Sequence, residues 1–71
     1  MSRYFFHLRR GQVTVLDQEG VELASIEDAA KEAARRAQEI ASKDALHGAG
    51  ASSRVISIAD DAWRTVMELT F

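Results

Sequence analysis

The chain has 71 residues, enough for one domain and too few for two, with 9 basic and 11 acidic side chains and a formal net charge of −2. It contains no cysteine, which excludes disulfides, thiolate metal centres and cysteine nucleophiles and suits a reducing compartment. The mixed charge gives no general attraction to nucleic acid or anionic lipid. The most apolar run, Tyr4-Phe5-Phe6-His7-Leu8, falls far short of the ~20 residues of a membrane span, so a single cytoplasmic domain over residues 1–71 is expected.

Residues 3–9, rich in aromatics, read as a strand. Gly11 marks a tight hairpin, and residues 12–16 return. With Arg10-Gly11 as the loop, Leu8 is expected opposite Val13, His7 opposite Thr14, Phe6 opposite Val15 and Phe5 opposite Leu16. Tyr4, Phe6, Leu8, Val13 and Val15 then share one face. Asp17-Gln18-Glu19-Gly20 is a turn, and Val21-Glu22-Leu23 a short extended link, either paired or unpaired.

Residues 25–43 carry the clearest pattern. Ile26, Ala29, Ala30, Ala33, Ala34, Ala37, Ile40 and Ala41 fall within about 140° of a helical wheel, and the rest are charged or polar. Ser25 is placed to cap this helix, with Asp28 three residues on. Glu27–Lys31, Glu32–Arg36 and Glu39–Lys43 have i,i+4 spacing. Asp44 is the first charge to enter the apolar arc, so the helix should end between 44 and 47, with Gly48 as its stop. Residues 47–53 read as a flexible Gly/Ala/Ser loop.

Residues 54–59 and 63–71 read as two further strands joined at Asp60-Asp61-Ala62 by a loop of two or four residues. Alternation places Trp63, Thr65, Met67, Leu69 and Phe71 with Ile56 and Ile58. Arg64, Val66, Glu68 and Thr70 face the other way, with Val55 and Ser57. The expected fold is α+β: a two-layer ββαββ domain with a four-stranded, mainly antiparallel sheet and one long helix on one face. Its core would join the helix stripe to Tyr4, Phe6, Leu8, Val13, Val15, Ile56, Ile58, Met67 and Leu69.

A helix roughly 10 Å across cannot cover four strands spaced about 4.8 Å apart. By parity Phe5, Leu16, Val55 and Val66 lie on the far face, with His7 near them. These five form the expected interaction surface, for a second copy in a homodimer or for another protein.

Candidate chemistry is sparse. His7 and His47 lack any H-x-x-H or H-E-x-x-H partner, so no metal is expected. Asp60 and Asp61 suit a turn better than a carboxylate pair, and Ser52 and Ser53 lack a nucleophile-elbow pattern. No phosphate-binding glycine motif occurs, and Gly48 and Gly50 read as connector. Arg3, Arg9, Arg10, Arg54 and Arg64 beside Tyr4, Phe5 and Trp63 are ingredients of a nucleic-acid surface, but the acidic total weighs against one. The expectation is a non-enzymatic binding module without cofactor, small-molecule ligand, nucleic acid or membrane partner.

The segments Ser2-Arg3-Tyr4-Phe5-Phe6-His7-Leu8 and Asp17-Gln18-Glu19-Gly20-Val21-Glu22-Leu23, the Ala-rich helix and the close Glu68-Leu69-Thr70-Phe71 resemble a family of short bacterial proteins of unknown function. The resemblance spans nearly the whole chain and implies no site residue. Such proteins often carry Gly in the last hairpin, where Ala62 stands here. Ser25-Ile26-Glu27-Asp28-Ala29, after a hairpin and an acidic Gly-containing turn, is also similar to HicB-like antitoxin domains. That likeness implies the alternative, a regulator binding a toxin or nucleic acid.

Overall fold

The computed structural model describes residues 1–46 and 54–71. Its elements are β1 (Ser2–Arg10), β2 (Val13–Val15), β3 (Val21–Leu23), α1 (Ile26–Leu46), β4 (Arg54–Ala59) and β5 (Thr65–Thr70). The α+β class holds, but among the described residues the sheet has five strands, not four, and the order is βββαββ. The strands run β2-β1-β4-β5, all pairs antiparallel, and β3 pairs with the N-terminal end of β1. The link at 21–23 becomes a strand because β1 extends beyond the reach of β2. Tyr4 pairs with Val21 and Ser2 with Leu23, which turns both apolar residues of β3 toward the core. Residues 47–53, expected as a flexible loop and including His47 and Gly48, lie outside the described residues.

The first hairpin is shifted by two residues from the expected register. Leu8 faces Val15, Arg9 faces Thr14 and Arg10 faces Val13. The two-residue loop is therefore Gly11-Gln12, with Gly11 at φ +61° in its first position, the arrangement of a type II′ turn. A shift of two preserves every face, so Val13 and Val15 do lie on the side of Leu8. They remain largely exposed, because the helix lies over the middle of the sheet and stops short of β2.

The second hairpin departs further. Its loop is the three residues 61–63, closed by a hydrogen bond from the Asp60 N–H to the Arg64 carbonyl (2.9 Å). Trp63 occupies the left-handed position at φ +62°, a place usually held by Gly or Asn. The positive-φ site of this hairpin is thus Trp63 and not Ala62. A bulge follows: Ile58 pairs with Met67 but Ala59 with Thr65, so Val66 is the extra residue. The inserted residue reverses the parity of what precedes it. Thr65 and Trp63 consequently belong to the face of Ala59, not to that of Ile56 and Ile58.

Helix α1 begins where the sequence places it. The Ser25 hydroxyl accepts the Asp28 N–H (3.3 Å) and the Ser25 carbonyl accepts the Ala29 N–H (3.2 Å). Its buried line is Ala29, Ala33 and Ala37, packed with Phe6, Ile56 and Ile58; Tyr4, Leu8, Val21, Leu23, Ile40, Leu69 and Phe71 border this core. Ala34 is exposed, and Met67 is 38% exposed, so neither completes the core expected of it. Of the i,i+4 pairs, Glu32–Arg36 forms (2.7 Å), whereas Glu39 is held by Arg35 (2.7 Å) instead of Lys43. No ion pair joins Glu27 to Lys31 among the described residues. Asp44 explains its own intrusion into the apolar arc: it bonds to Arg10 (3.1 Å) and to Arg54, which sit opposite each other on β1 and β4. Arg54 and, next to it, Arg10 hold the Asp44 carboxyl below its ordinary pKa. No helix among the described residues is long and apolar enough to cross a membrane.

Candidate interaction surface

Alternation along β1 sends Tyr4, Phe6 and Leu8 to the helix and Phe5, His7 and Arg9 to the open face of the sheet. Cross-strand pairing builds three rows there: Phe5, Ala59 and Thr65; His7, Ser57 and Glu68; Arg9, Val55 and Thr70. The left-handed turn at Trp63 folds its indole back over the first two rows. Its ring system stacks on Phe5 (4.6 Å between centroids, 17°) and on His7 (5.6 Å, 8°). Phe5 is buried beneath it, while Trp63 itself stays 58% exposed.

The other wall of this patch is the turn between β2 and β3. Gly20 sits at φ +71°, and a Cβ there would lie 2.9 Å from the Phe5 ring and 2.8 Å from Arg3 Cγ. Glycine is therefore required twice, by conformation and by close approach. The Asp17 carboxylate organises the same turn, accepting the N–H groups of Glu19, Gly20 and Phe6 (each 3.1 Å). Burial raises the Asp17 pKa, but these three donors and the charge of Arg36 outweigh it and leave the group below its ordinary value. The Asp17 N–H donates to His7 Nδ1 (3.0 Å), which ties the imidazole to the same turn. Arg3 completes the brace, reaching the Glu19 carbonyl (2.6 Å) and the Glu22 carboxylate (3.2 Å). The two N-terminal segments that carry the family resemblance are thus in mutual contact.

Of the five residues expected at the surface, the structure buries Phe5 and Val55, half-buries His7, and leaves Leu16 and Val66 exposed. Trp63 is the exposed residue that alternation assigned to the wrong face. Two Asp residues ahead of it signal a tight loop, but nothing in the sequence signals a tryptophan at a left-handed position.

The row of His7, Ser57 and Glu68 contains the residue types of a hydrolytic triad but not its connectivity. Ser57 donates its hydroxyl proton to Glu68 (3.0 Å), and His7 Nδ1 is occupied by Asp17. Asp60 is a turn residue: its carboxylate accepts the N–H groups of Ala62 (2.9 Å) and Arg64 (3.0 Å), and the Arg64 N–H leads in lowering its pKa. Among the described residues, no three His, Asp or Glu side chains converge to hold a metal ion. A groove of about 250 Å³ along α1 is lined by Arg35, Arg36, Glu39, Ile40 and Lys43. Of the five arginines considered for nucleic acid, Arg3, Arg10, Arg54 and Arg64 are each paired with a carboxylate.

The fold and surface together define a small two-layer α+β domain with large apolar side chains exposed on both hairpins. Over residues 3–71 the chain matches the domain of unknown function DUF6894. It belongs to that family. Comparison with curated proteins and with solved structures gave no match.

Proposed function

We propose that this protein is a small cytoplasmic, non-enzymatic interaction module that associates with itself. The observation that carries the reading is the exposure of Trp63 (58%), Val66 (41%) and Met67 (38%), three large apolar side chains left uncovered on one hairpin of a small domain, Trp63 over the open face and Met67 on the helix side. Trp63 adds to it, since it occupies a backbone position that disfavours a bulky side chain. The HicB-like alternative has less support. Its nucleic-acid form needs free cations, and four of the five arginines considered are each paired with a carboxylate of the same chain.

Light scattering across a micromolar concentration series tests the proposal. A mass that rises above 7.9 kDa with concentration supports it, and one that stays there throughout removes it. Val66→Asp, on an exposed bulge position, should lower the associated mass while leaving the circular dichroism spectrum unchanged.

A further inference from the structure

The reading of self-association leaves open which surface the copies share, and the backbone hydrogen bonds of β5 bear on that question. Arg54 and Phe71 exchange both backbone bonds (Arg54 N–H to Phe71 carbonyl, 3.3 Å; Phe71 N–H to Arg54 carbonyl, 2.9 Å). Alternation in an antiparallel ladder then makes Ile56–Leu69 and Ile58–Met67 the other bonded pairs. The N–H and C=O groups of Glu68 and Thr70 consequently point away from β4. β5 ends the strand order, and among the described residues no other strand pairs with it. Its outer edge carries few of the usual guards: one charge, no proline, no lysine, and a bulge only at its N-terminal end.

Resting on that reading, we infer that two copies join antiparallel through the β5 edges, making one continuous sheet with both helices on the same face. The register follows from three constraints. Outward-pointing residues must meet outward-pointing residues, which allows only every second alignment. Alignment of Glu68 with its own copy sets like charges opposite each other and is disfavoured. Sliding the strands toward the N-terminus runs the ladder into the bulge at Val66. Of the alignments left, the one with most backbone bonds, four against two for Thr70 on its own copy, pairs Glu68 with the second copy's Thr70 and sets Leu69 against its own copy on the two-fold axis. On the helix side it also brings the exposed Met67 against the second copy's Phe71. The self-complementarity of this segment, one charge matched to a threonine and apolar residues matched to each other, is what selects a second copy over an unrelated strand. Four backbone hydrogen bonds and one apolar row make a small interface, below the standard size of roughly 800 Å² per partner, so the dimer is a transient one.

The absence of cysteine makes the test direct. Glu68→Cys and Thr70→Cys chains are prepared separately, mixed in equal amounts and mildly oxidised. A mixed disulfide well above either self-linked product is the expected result. In parallel, Thr70→Pro removes an outward N–H that β4 does not use. By symmetry two bonds are lost, and the dissociation constant should rise on the order of ten- to a hundredfold. Predominant Glu68→Cys self-links overturn the register and with it the inference. If the wild-type chain dimerises but neither the mixed link nor the Thr70→Pro effect is seen, the copies meet elsewhere; the inference fails and the proposed function stands. A wild-type mass that remains monomeric removes both. The cross-linking arm remains decisive if Thr70→Pro fails to fold.

Discussion

On its N-terminal side the sheet ends in two three-residue strands, β2 and β3, whereas on its C-terminal side it ends in the six-residue β5. β1 is flanked by two three-residue strands, and in the gap between them the Asp17 carboxylate accepts the Phe6 N–H that a longer strand would have met. Arg3, Gly20 and His7 lock the same turn from three directions. β5, by contrast, is longer, mostly exposed, and presents unpaired backbone groups beside Val66 and Met67. The N-terminal turn is held by its own hydrogen bonds and should carry stability. The C-terminal hairpin should carry association.

The contrast is broken most severely at Asp17. Asp17→Ala orphans three N–H groups at once, and a loss of about 2–4 kcal/mol is expected in urea unfolding. Next come the two positive-φ glycines. Gly20→Ala combines strain with a clash against Phe5 and Arg3 and should cost about 2 kcal/mol or more, while Gly11→Ala, with nothing within 4 Å of the added Cβ, should cost about 1 kcal/mol. Equal costs for the two would remove the role given to the Gly20–Phe5 contact.

Acid gives a graded effect. Arg35 and Arg36 hold the Glu32 carboxyl at about 2, and Asp17 is also lowered. Groups with depressed pKa values stabilise the fold above their unfolded values and lose that contribution as pH falls through the folded ones. Stability should therefore be level above pH about 5 and decline toward pH about 2, with a shallower decline in Glu32→Gln, as read from urea midpoints. The smallest change is expected at Trp63→Gly. Relief of about 1 kcal/mol of left-handed strain opposes the loss of stacking on Phe5 and His7, so the net shift should stay within about 1 kcal/mol in either direction.

The helix was legible because its periodicity, its Ser25 cap and its interruption at Asp44 all report local chemistry. The first hairpin was legible in its faces but not in its register. A glycine fits either position of a two-residue loop, and the two choices differ by a slide that sequence alternation does not see. β3 was half legible, since its alternation is visible but its partner lies at the far end of a nine-residue strand. The bulge at Val66 left no mark, because no glycine announces it, and everything N-terminal to it on that strand changed sides. For that reason Phe5, taken as exposed, is covered, and Trp63, placed by alternation on the face of Ile56 and Ile58, lies over the other one.

At its three buried positions, Ala29, Ala33 and Ala37, the helix meets the sheet with methyl groups, and Ile40 is the one large apolar side chain of the described helix that borders them. Tolerance to substitution should accordingly run in opposite directions in the two layers. Along the helix, enlarging any of these three positions wedges the layers apart, and there is almost nothing to truncate. On the sheet, Phe6, Ile56 and Ile58 hold nearly all the removable bulk, so there truncation is the hazard. The chain's capacity to drift in sequence is set by this division between a rail that cannot thicken and a floor that cannot thin.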